Sequence, residues 1–424
     1  MSNTNTKKLL TARFGTIDPG SIKDYISSGG YSVLQKALLM NEDEIINEVK
    51  ASGLKGRGGA GFPTGLKMDS VKQAEGTPKY IICNADEGEP GNFKDRLLME
   101  NDPHQIIEGM IICAYATGTR HGYIFIRGEY LKSIRIMEAA LEQARVKGYL
   151  GDNILDTGFD FDIDVHTGAG SYVCGEEFAL LVSIEGKSGR ATYKPPFPTT
   201  CGLYDKPTQI NNVETFCNIP HIIDMGGTEF SKIGTDSSKG TKLICLSGNV
   251  INPGLYEVPL GTTVRYIIDE LGGGVPNNRA IKMVQLGGAS GPVIPEGMLD
   301  VKLDFAEMRE KDLNFGSGAI IVMDERINVL DILKRIIQFF HHESCGKCTP
   351  CREGLTQMLI ILDRFIEGTA SGQDLALLDV LIETMSQASI CGLGQAAPTA
   401  VKKVLEYFPE EFNSRIHSMG PVTV

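Results

Sequence analysis

Cys345, Cys348 and Cys351 stand at C-x2-C-x2-C spacing inside Glu343-Ser344-Cys345-Gly346-Lys347-Cys348-Thr349-Pro350-Cys351-Arg352-Glu353-Gly354, and Cys391 follows further along the chain. Three thiolates in one tight loop plus one remote thiolate form the ligand set of a cubane 4Fe–4S cluster. Thr349 is expected to cap, and Pro350 to open, a helix whose first turn carries Cys351. Such a terminus leaves free backbone N–H groups and a partial positive charge near an anionic cluster. A structural zinc site and inert buried cysteines are the alternatives. Zinc sites usually pair two C-x2-C knuckles, whereas Cys391 stands alone in Ile390-Cys391-Gly392-Leu393. The spacing therefore predicts an iron–sulfur ligand set of Cys345, Cys348, Cys351 and Cys391.

A chain of 424 residues has room for two to four domains, each with its own core. Its net charge of −12, with no basic run interleaved with aromatics, argues against nucleic acid as a partner. No apolar run approaches the roughly 18–20 residues of a membrane span, so no direct membrane insertion is expected. Residues 1–14 carry no signal-peptide core, and the expected location is the cytoplasm. There, cysteines serve as reduced thiols and ligands rather than disulfides, and Cys83, Cys113, Cys174, Cys201, Cys217 and Cys245 mostly read as small core residues.

Residues 1–55 read as a helical segment, with Ile45, Ile46 and Val49 at helical spacing. The loop Gly56-Arg57-Gly58-Gly59-Ala60-Gly61-Phe62-Pro63-Thr64-Gly65-Leu66-Lys67 follows. Its glycines formally match G-x-G-x-x-G, but a dinucleotide fingerprint needs a strand directly before it. Dense glycine still lets backbone N–H groups approach a phosphate or a flat ring, with Arg57 and Lys67 alongside; a flexible hinge is the plainer reading.

Strands at about 80–83, 122–127 and 161–165 alternate with helices at 105–118, 130–147 and up to about 184. That alternation predicts an α/β domain with a Rossmann-like parallel sheet over residues 56–238. Ligands in such sheets sit beyond the carboxyl ends of the strands, where Asp86, Glu87 and Glu89 and then Glu176 and Glu177 fall. Residues 186–220 look proline-rich and irregular, and 226–239 resembles a linker. A small ubiquitin-like (β-grasp) domain with no obvious chemistry is expected over 239–326. Amphipathic stripes through Leu333, Leu362, Leu378 and Val401 predict a four-helix bundle over 327–424 that carries the cluster at one pole.

Taken together the motifs resemble the NADH-oxidising flavoprotein subunit of respiratory complex I and of soluble NAD-linked hydrogenases and formate dehydrogenases. The resemblance runs from about residue 30 to 412. It rests on Gly-Arg-Gly-Gly-Ala-Gly-Phe-Pro-Thr-Gly at 56–65, Cys-Asn-Ala-Asp-Glu at 83–87, Gly-Ala-Gly at 168–170 and Cys-Gly-Glu-Glu at 174–177. Lys-Pro-Pro-Phe-Pro at 194–198, Asn-Asn-Val-Glu-Thr at 211–215 and the cysteine motif complete it.

The resemblance implies FMN at Gly56, Gly58, Lys67, Asn84, Asp86, Glu87, Tyr172, Gly175, Glu176, Asn211, Asn212 and Thr215. It further implies that Phe62, Lys194 and Phe197 hold the adenosine half of NAD(H), with the acids Glu89 and Glu177 near the nicotinamide as catalytic-site residues. Hydride would pass from NADH to FMN, and single electrons to the 4Fe–4S cluster and on to partners. Those partners would be a small thioredoxin-like 2Fe–2S subunit and a larger iron–sulfur or catalytic subunit. Met68 stands where the family commonly has Trp, and Ala191-Thr192 where it usually has Pro-Arg. Cys391-Gly-Leu-Gly is closer to the soluble relatives, yet no second cysteine set is appended, so the parent complex stays open. A non-catalytic scaffold with a structural zinc is the competing class.

Overall fold

The computed structural model describes residues 8–416; the outer ends of the expected 1–55 and 327–424 segments, residues 1–7 and 417–424, lie outside them. Asn41 accepts from the Glu44 backbone N–H while the Glu44 carboxylate accepts from the Asn41 N–H, a reciprocal cap that starts the helix Glu42–Ser52. Gly53 ends it in the left-handed region at φ 64°, which glycine adopts without steric cost. The glycine-rich loop thus follows a helix, as expected, and leads into the helix Thr64–Gln73.

Four parallel strands form the first sheet: β1 (Tyr80–Ala85), β2 (His121–Ile126), β3 (Asp162–Thr167) and β4 (Thr208–Asn212), in the order β3-β2-β1-β4. Register pairs Asn84 with Asn212 and Cys83 with Asn211, so these polar residues gather at the carboxyl edge. Helices Pro103–Thr117, Leu131–Val146 and Glu177–Ile184 match the expected alternation. The stretch expected to be irregular instead holds β4 and the helix Val213–Met225, with Pro220 inside it. Thr-Gln-Ile-Asn-Asn offers no apolar period to reveal a strand, although its first four residues are buried. The helix Lys94–Asn101 is hidden in the same way, because Lys94, Asp95 and Glu100 are buried although charged.

The second sheet, order β6-β5-β9-β7-β8, comprises β5 (Thr241–Gly248), β6 (Gly254–Pro259), β7 (Ile281–Leu286), β8 (Val293–Ile294) and β9 (Ala319–Asp324). These strands and the helix Phe305–Glu310 fall within the span 239–326 expected for the β-grasp domain. The helix after β6 begins as α, Val264–Tyr266, and continues as a wider π turn, Ile267–Leu271. Four long helices follow, Val329–Glu343, Thr349–Glu367, Gly372–Ala388 and Thr399–Tyr407, burying Leu333, Phe340, Leu355, Leu362, Phe365, Leu378 and Val401 against one another. Each such side chain contributes about 1.5–3 kcal/mol by leaving water.

Two buried polar ties join distant parts. The carboxylate of Glu257 on β6 accepts from the backbone N–H of Leu9, Leu10 and Thr11 at 2.9–3.0 Å, strapping the N-terminal segment to the second sheet. Beneath the first sheet, Glu108 accepts from the Tyr25 hydroxyl (2.5 Å) and the Leu34 N–H (2.9 Å), and His104 Nδ1 pairs with the Tyr31 hydroxyl.

Candidate functional site

The helix Val329–Glu343 ends at the cysteine motif, where Gly346 turns the chain through φ 70°. Cys348, not Thr349, occupies the cap position of the next helix; Thr349 is its first residue and Pro350 its second, and no side chain caps it. The expected threonine cap is therefore corrected: a proline in the first turn needs no N–H partner, so a thiol can stand at the cap. Cys391 takes the cap position of the short helix Gly392–Ala396. All four thiols line one small pocket together with Val173, Ala191, Lys347 and Leu393.

A Cβ at Gly394 would stand 2.9 Å from the Cys351 Cβ, so glycine lets the two segments close. Lys347 Nζ donates to the Ala191 carbonyl at 2.7 Å, tying the loop to the α/β half. Among the described residues, no three Cys, His, Asp or Glu side chains converge tightly enough for a single metal ion. Four thiols lining one pocket match the number and type of ligands that a cubane cluster takes. Burial pushes the Cys351 thiol up to about 11, so ligation there releases a proton.

At the carboxyl edge of the first sheet opens a cleft of about 760 Å³, within the range of cofactor sites. Every cofactor-site residue expected from the sequence lines it. Gly56, Gly58, Phe62 and Lys67 form one side, Asn84, Asp86, Glu87 and Glu89 the floor, and Tyr172, Gly175, Glu176 and Glu177 a third wall. Lys194 and Phe197 stand at the mouth, with Asn211, Asn212 and Thr215 at the end of β4. A Cβ at Gly58 would come 3.1 Å from the Asn212 Cβ, so bare backbone faces the cleft there. Asp86 Oδ2, Asn92 Oδ1 and Asn211 Nδ2 are buried without a partner, and these orphaned groups fit a polar ligand such as FMN.

Several side chains are already committed to the protein itself. Glu87 accepts from the Asp95 and Arg96 backbone N–H groups, both at 3.0 Å, at the start of the helix Lys94–Asn101. Glu176 caps the helix Glu177–Ile184 through Phe178 and Ala179. Asn212 accepts from Lys94 Nζ at 2.9 Å and donates to Asp95 at 2.7 Å. Arg57, expected beside a phosphate, is 1% exposed and turns away to the Lys239 carbonyl at 2.6 Å. The cation on this side of the cleft is Lys67, whose ammonium donates to the Ile210 carbonyl at 2.8 Å.

Burial sets the local protonation. It pushes Asp86 up to about 7 against the opposing pull of Arg127. Glu87 rises to about 7 through burial and the nearby Asp95, with Lys94 opposing. Burial lowers Lys67, with Glu177 working against the shift. Burial also disfavours charge on Lys194, but Glu177 at 2.7 Å and Glu176 at 3.3 Å win and hold it protonated above its ordinary range.

Behind the cleft, Glu214 is fully buried between Lys94 at 3.2 Å and Lys242, and accepts from the Leu243 N–H at 2.9 Å. Sequence reasoning missed this ionic group, and it missed Asn92 and Ser317, which also line the cleft. The second domain, expected to carry no chemistry, therefore supplies Ser317, in the turn before β9, to the wall. Val173 and Leu393 line both the cleft and the thiol pocket, which back onto each other through these two side chains.

Residues 49–221 match the family Nuo51 FMN-binding domain, residues 331–415 the NADH-ubiquinone oxidoreductase-F iron-sulfur binding region, and residues 243–295 the SLBB domain. The chain is 49% identical over 93% of its length, and 94% of the relative's, to an NADH-quinone oxidoreductase subunit of Rhizobium meliloti. It is 45% identical to NADP-reducing hydrogenase subunit HndC of Solidesulfovibrio fructosivorans, covering 98% of this chain and 86% of that one. Among solved structures, NAD+-reducing [NiFe]-hydrogenase in the H2-reduced state superposes with a TM-score of 0.84 at 35% identity over 92% of this chain. The chain spans 65% of the hydrogenase chain's length. With an FMN-binding domain, a 4Fe–4S region and relatives of this identity along nearly the whole chain, the protein belongs to the family of NADH dehydrogenase flavoprotein subunits shared by complex I and NAD-linked hydrogenases.

Proposed function

We propose that this chain is the component that takes reducing equivalents from NADH inside a larger complex and passes them on singly. The observation that carries the reading is the pair of cavities sharing Val173 and Leu393, one polar and glycine-lined, the other ringed by four thiols. When bound, FMN and a 4Fe–4S cluster supply the conversion of a two-electron donor into one-electron transfers. The protein supplies placement. Gly56 and Gly58 leave backbone open to FMN, with Asp86 and Asn211 offering their unpartnered polar atoms to it. Phe62 and Phe197, each more than half exposed at the mouth, would stack the adenosine half of the nucleotide, and Lys194 would meet its charge.

Glu89 and Glu177 are assigned to the nicotinamide side, and Cys345, Cys348, Cys351 and Cys391 to the cluster. We take the working units as 56–238, 239–326 and 327–424, preceded by the segment 1–55. We place the subunit in the cytoplasm beside a small 2Fe–2S subunit and a larger iron–sulfur or catalytic subunit. One similar relative is named for quinone and another for NADP-reducing hydrogenase, so the terminal acceptor is left to experiment.

The test uses purified protein with FMN and iron quantified. NADH should drive reduction of ferricyanide and of the cluster signal in low-temperature electron paramagnetic resonance. The isolated chain should turn over neither quinone, protons nor carbon dioxide. Stoichiometric zinc without flavin would overturn the reading in favour of the scaffold class, and full-rate turnover of any of those three acceptors would overturn the relay role.

A further inference from the structure

Glu89 sits on the loop after β1, yet both of its carboxylate oxygens are held from elsewhere. The Tyr172 hydroxyl donates to Oε2, and the backbone N–H of Ser290, in the turn between β7 and β8, donates to Oε1 at 2.7 Å. Gly288 in the same turn adopts φ +87° and passes so close that a Cβ there would stand 2.4 Å from Glu89 Cγ and 2.9 Å from Oε1. The turn is itself anchored: Gly291 N–H donates to the Gly288 carbonyl at 3.0 Å, and Gly287 N–H to the Ala319 carbonyl of β9 at 2.7 Å. Burial raises the Glu89 pKa while the bonds from Tyr172 and Ser290 favour its charged form. The β-grasp unit brings no acid or thiol to this wall, but it brings a fixed donor and a steric stop.

We propose that the 287–291 turn is a positioning element for the nicotinamide nucleotide: it locks the Glu89 carboxylate in one orientation against Tyr172, so that nucleotide affinity depends on the second sheet. A carboxylate with one oxygen released would sweep several rotamers, and a site held to one geometry binds more tightly than one that must be ordered on binding. The inference rests on the assignment of Glu89 to the nicotinamide side.

Its test uses the full FMN-loaded chain carrying Gly288→Ala, Glu89→Ala, or both, with NAD+ binding followed by calorimetry beside KM and kcat for NADH. Gly288→Ala should weaken NAD+ about tenfold, as for one lost hydrogen bond to a charged group, and raise KM rather than lower kcat. It should leave the FMN content unchanged and be silent in the Glu89→Ala background. Equal weakening in both backgrounds, or none in either, overturns the proposal. If Gly288→Ala fails to accumulate, Tyr172→Phe removes the opposite grip without adding an atom; its loss should likewise vanish over Glu89→Ala, and additivity would overturn the proposal. NAD+ affinity unchanged in Glu89→Ala overturns the site assignment beneath it, whereas affinity lost in Glu89→Ala but kept in Gly288→Ala overturns the clamp alone.

Discussion

The thiol pocket takes three of its four cysteines from the single stretch 345–351, whereas the cleft draws its walls from stretches scattered between Gly56 and Leu393. The first is set by local spacing at the ends of helices whose cores are otherwise apolar. The second is assembled by register, by close backbone approach and by buried charges that never meet the ligand. A site of the first kind should fail by losing one ligand and little else. A site of the second kind should fail through its supports.

The largest effect expected is the cleanest break of that contrast. Cys391→Ala should abolish the cluster, with iron content and its paramagnetic signal near zero, while FMN stays bound at the wild-type level. Loss of FMN in step with iron would show that the two cavities are not separately built.

Next comes the support behind the cleft. Glu214→Gln leaves Lys242 buried without its anion and Lys94 with Asp95 alone, and breaking such a buried pair costs about 3–5 kcal/mol. Denaturant unfolding should show this loss, and FMN should bind more weakly because Lys94 also holds Asn212. Unchanged stability would mean that Asp95 and water already compensate these charges.

Acid should separate the halves too. His104, 1% exposed, is lowered by burial to about 4, against an ordinary value of 6.5. Above pH 6.5 the ring is neutral folded or unfolded and costs nothing. As pH falls from 6.5 to 4 the unfolded chain binds the proton that the folded chain refuses, so stability is lost across that window, by up to about 3 kcal/mol. His341 and His342, by contrast, are exposed on the helical half. Hydrogen exchange at pH 5 against pH 7 should therefore show weakened protection in Pro103–Thr117 but not in Thr349–Glu367. A His104→Asn variant with the same acid slope would refute the assignment.

The smallest effect belongs to the exposed rim. Glu177→Gln removes one of the two acids holding the partly exposed Lys194, at 2.7 Å, a pair of the kind worth roughly 0.2–1 kcal/mol, so KM for NADH should shift by a few-fold with FMN retained. With acids at the rim, NADH is also expected to be preferred over NADPH; equal kcat/KM for the two would remove that expectation.

The same contrast explains which parts of the molecule are legible in the sequence. Spacing is local for Cys345, Cys348 and Cys351, so that motif can be read directly, as can the helices with apolar stripes and the alternating strands of the first sheet. The cleft residues become legible through motif resemblance, because periodicity says nothing of Asn84 facing Asn212 across two strands. What stays hidden is polar and buried. Lys94, Glu214 and Lys242 read as surface charges in sequence, and only three-dimensional convergence makes them an ionic core. Arg57 misleads for the same reason: a guanidinium beside glycines suggests a phosphate, but a backbone carbonyl 182 residues away claims it.

The Glu257 strap carries a consequence for the order in which the molecule comes together. Its acceptor lies 246–248 residues beyond the amides of Leu9, Leu10 and Thr11. During synthesis those three amides must wait until β6 has been made, and closing so long a loop is slow even when the final contact is favourable. The N-terminal segment can settle under the first sheet early, but its last fastening comes only with the second. In this chain the seal between the first residues and the middle is a late event of folding, and a nascent chain halted before Glu257 would carry that segment unfastened.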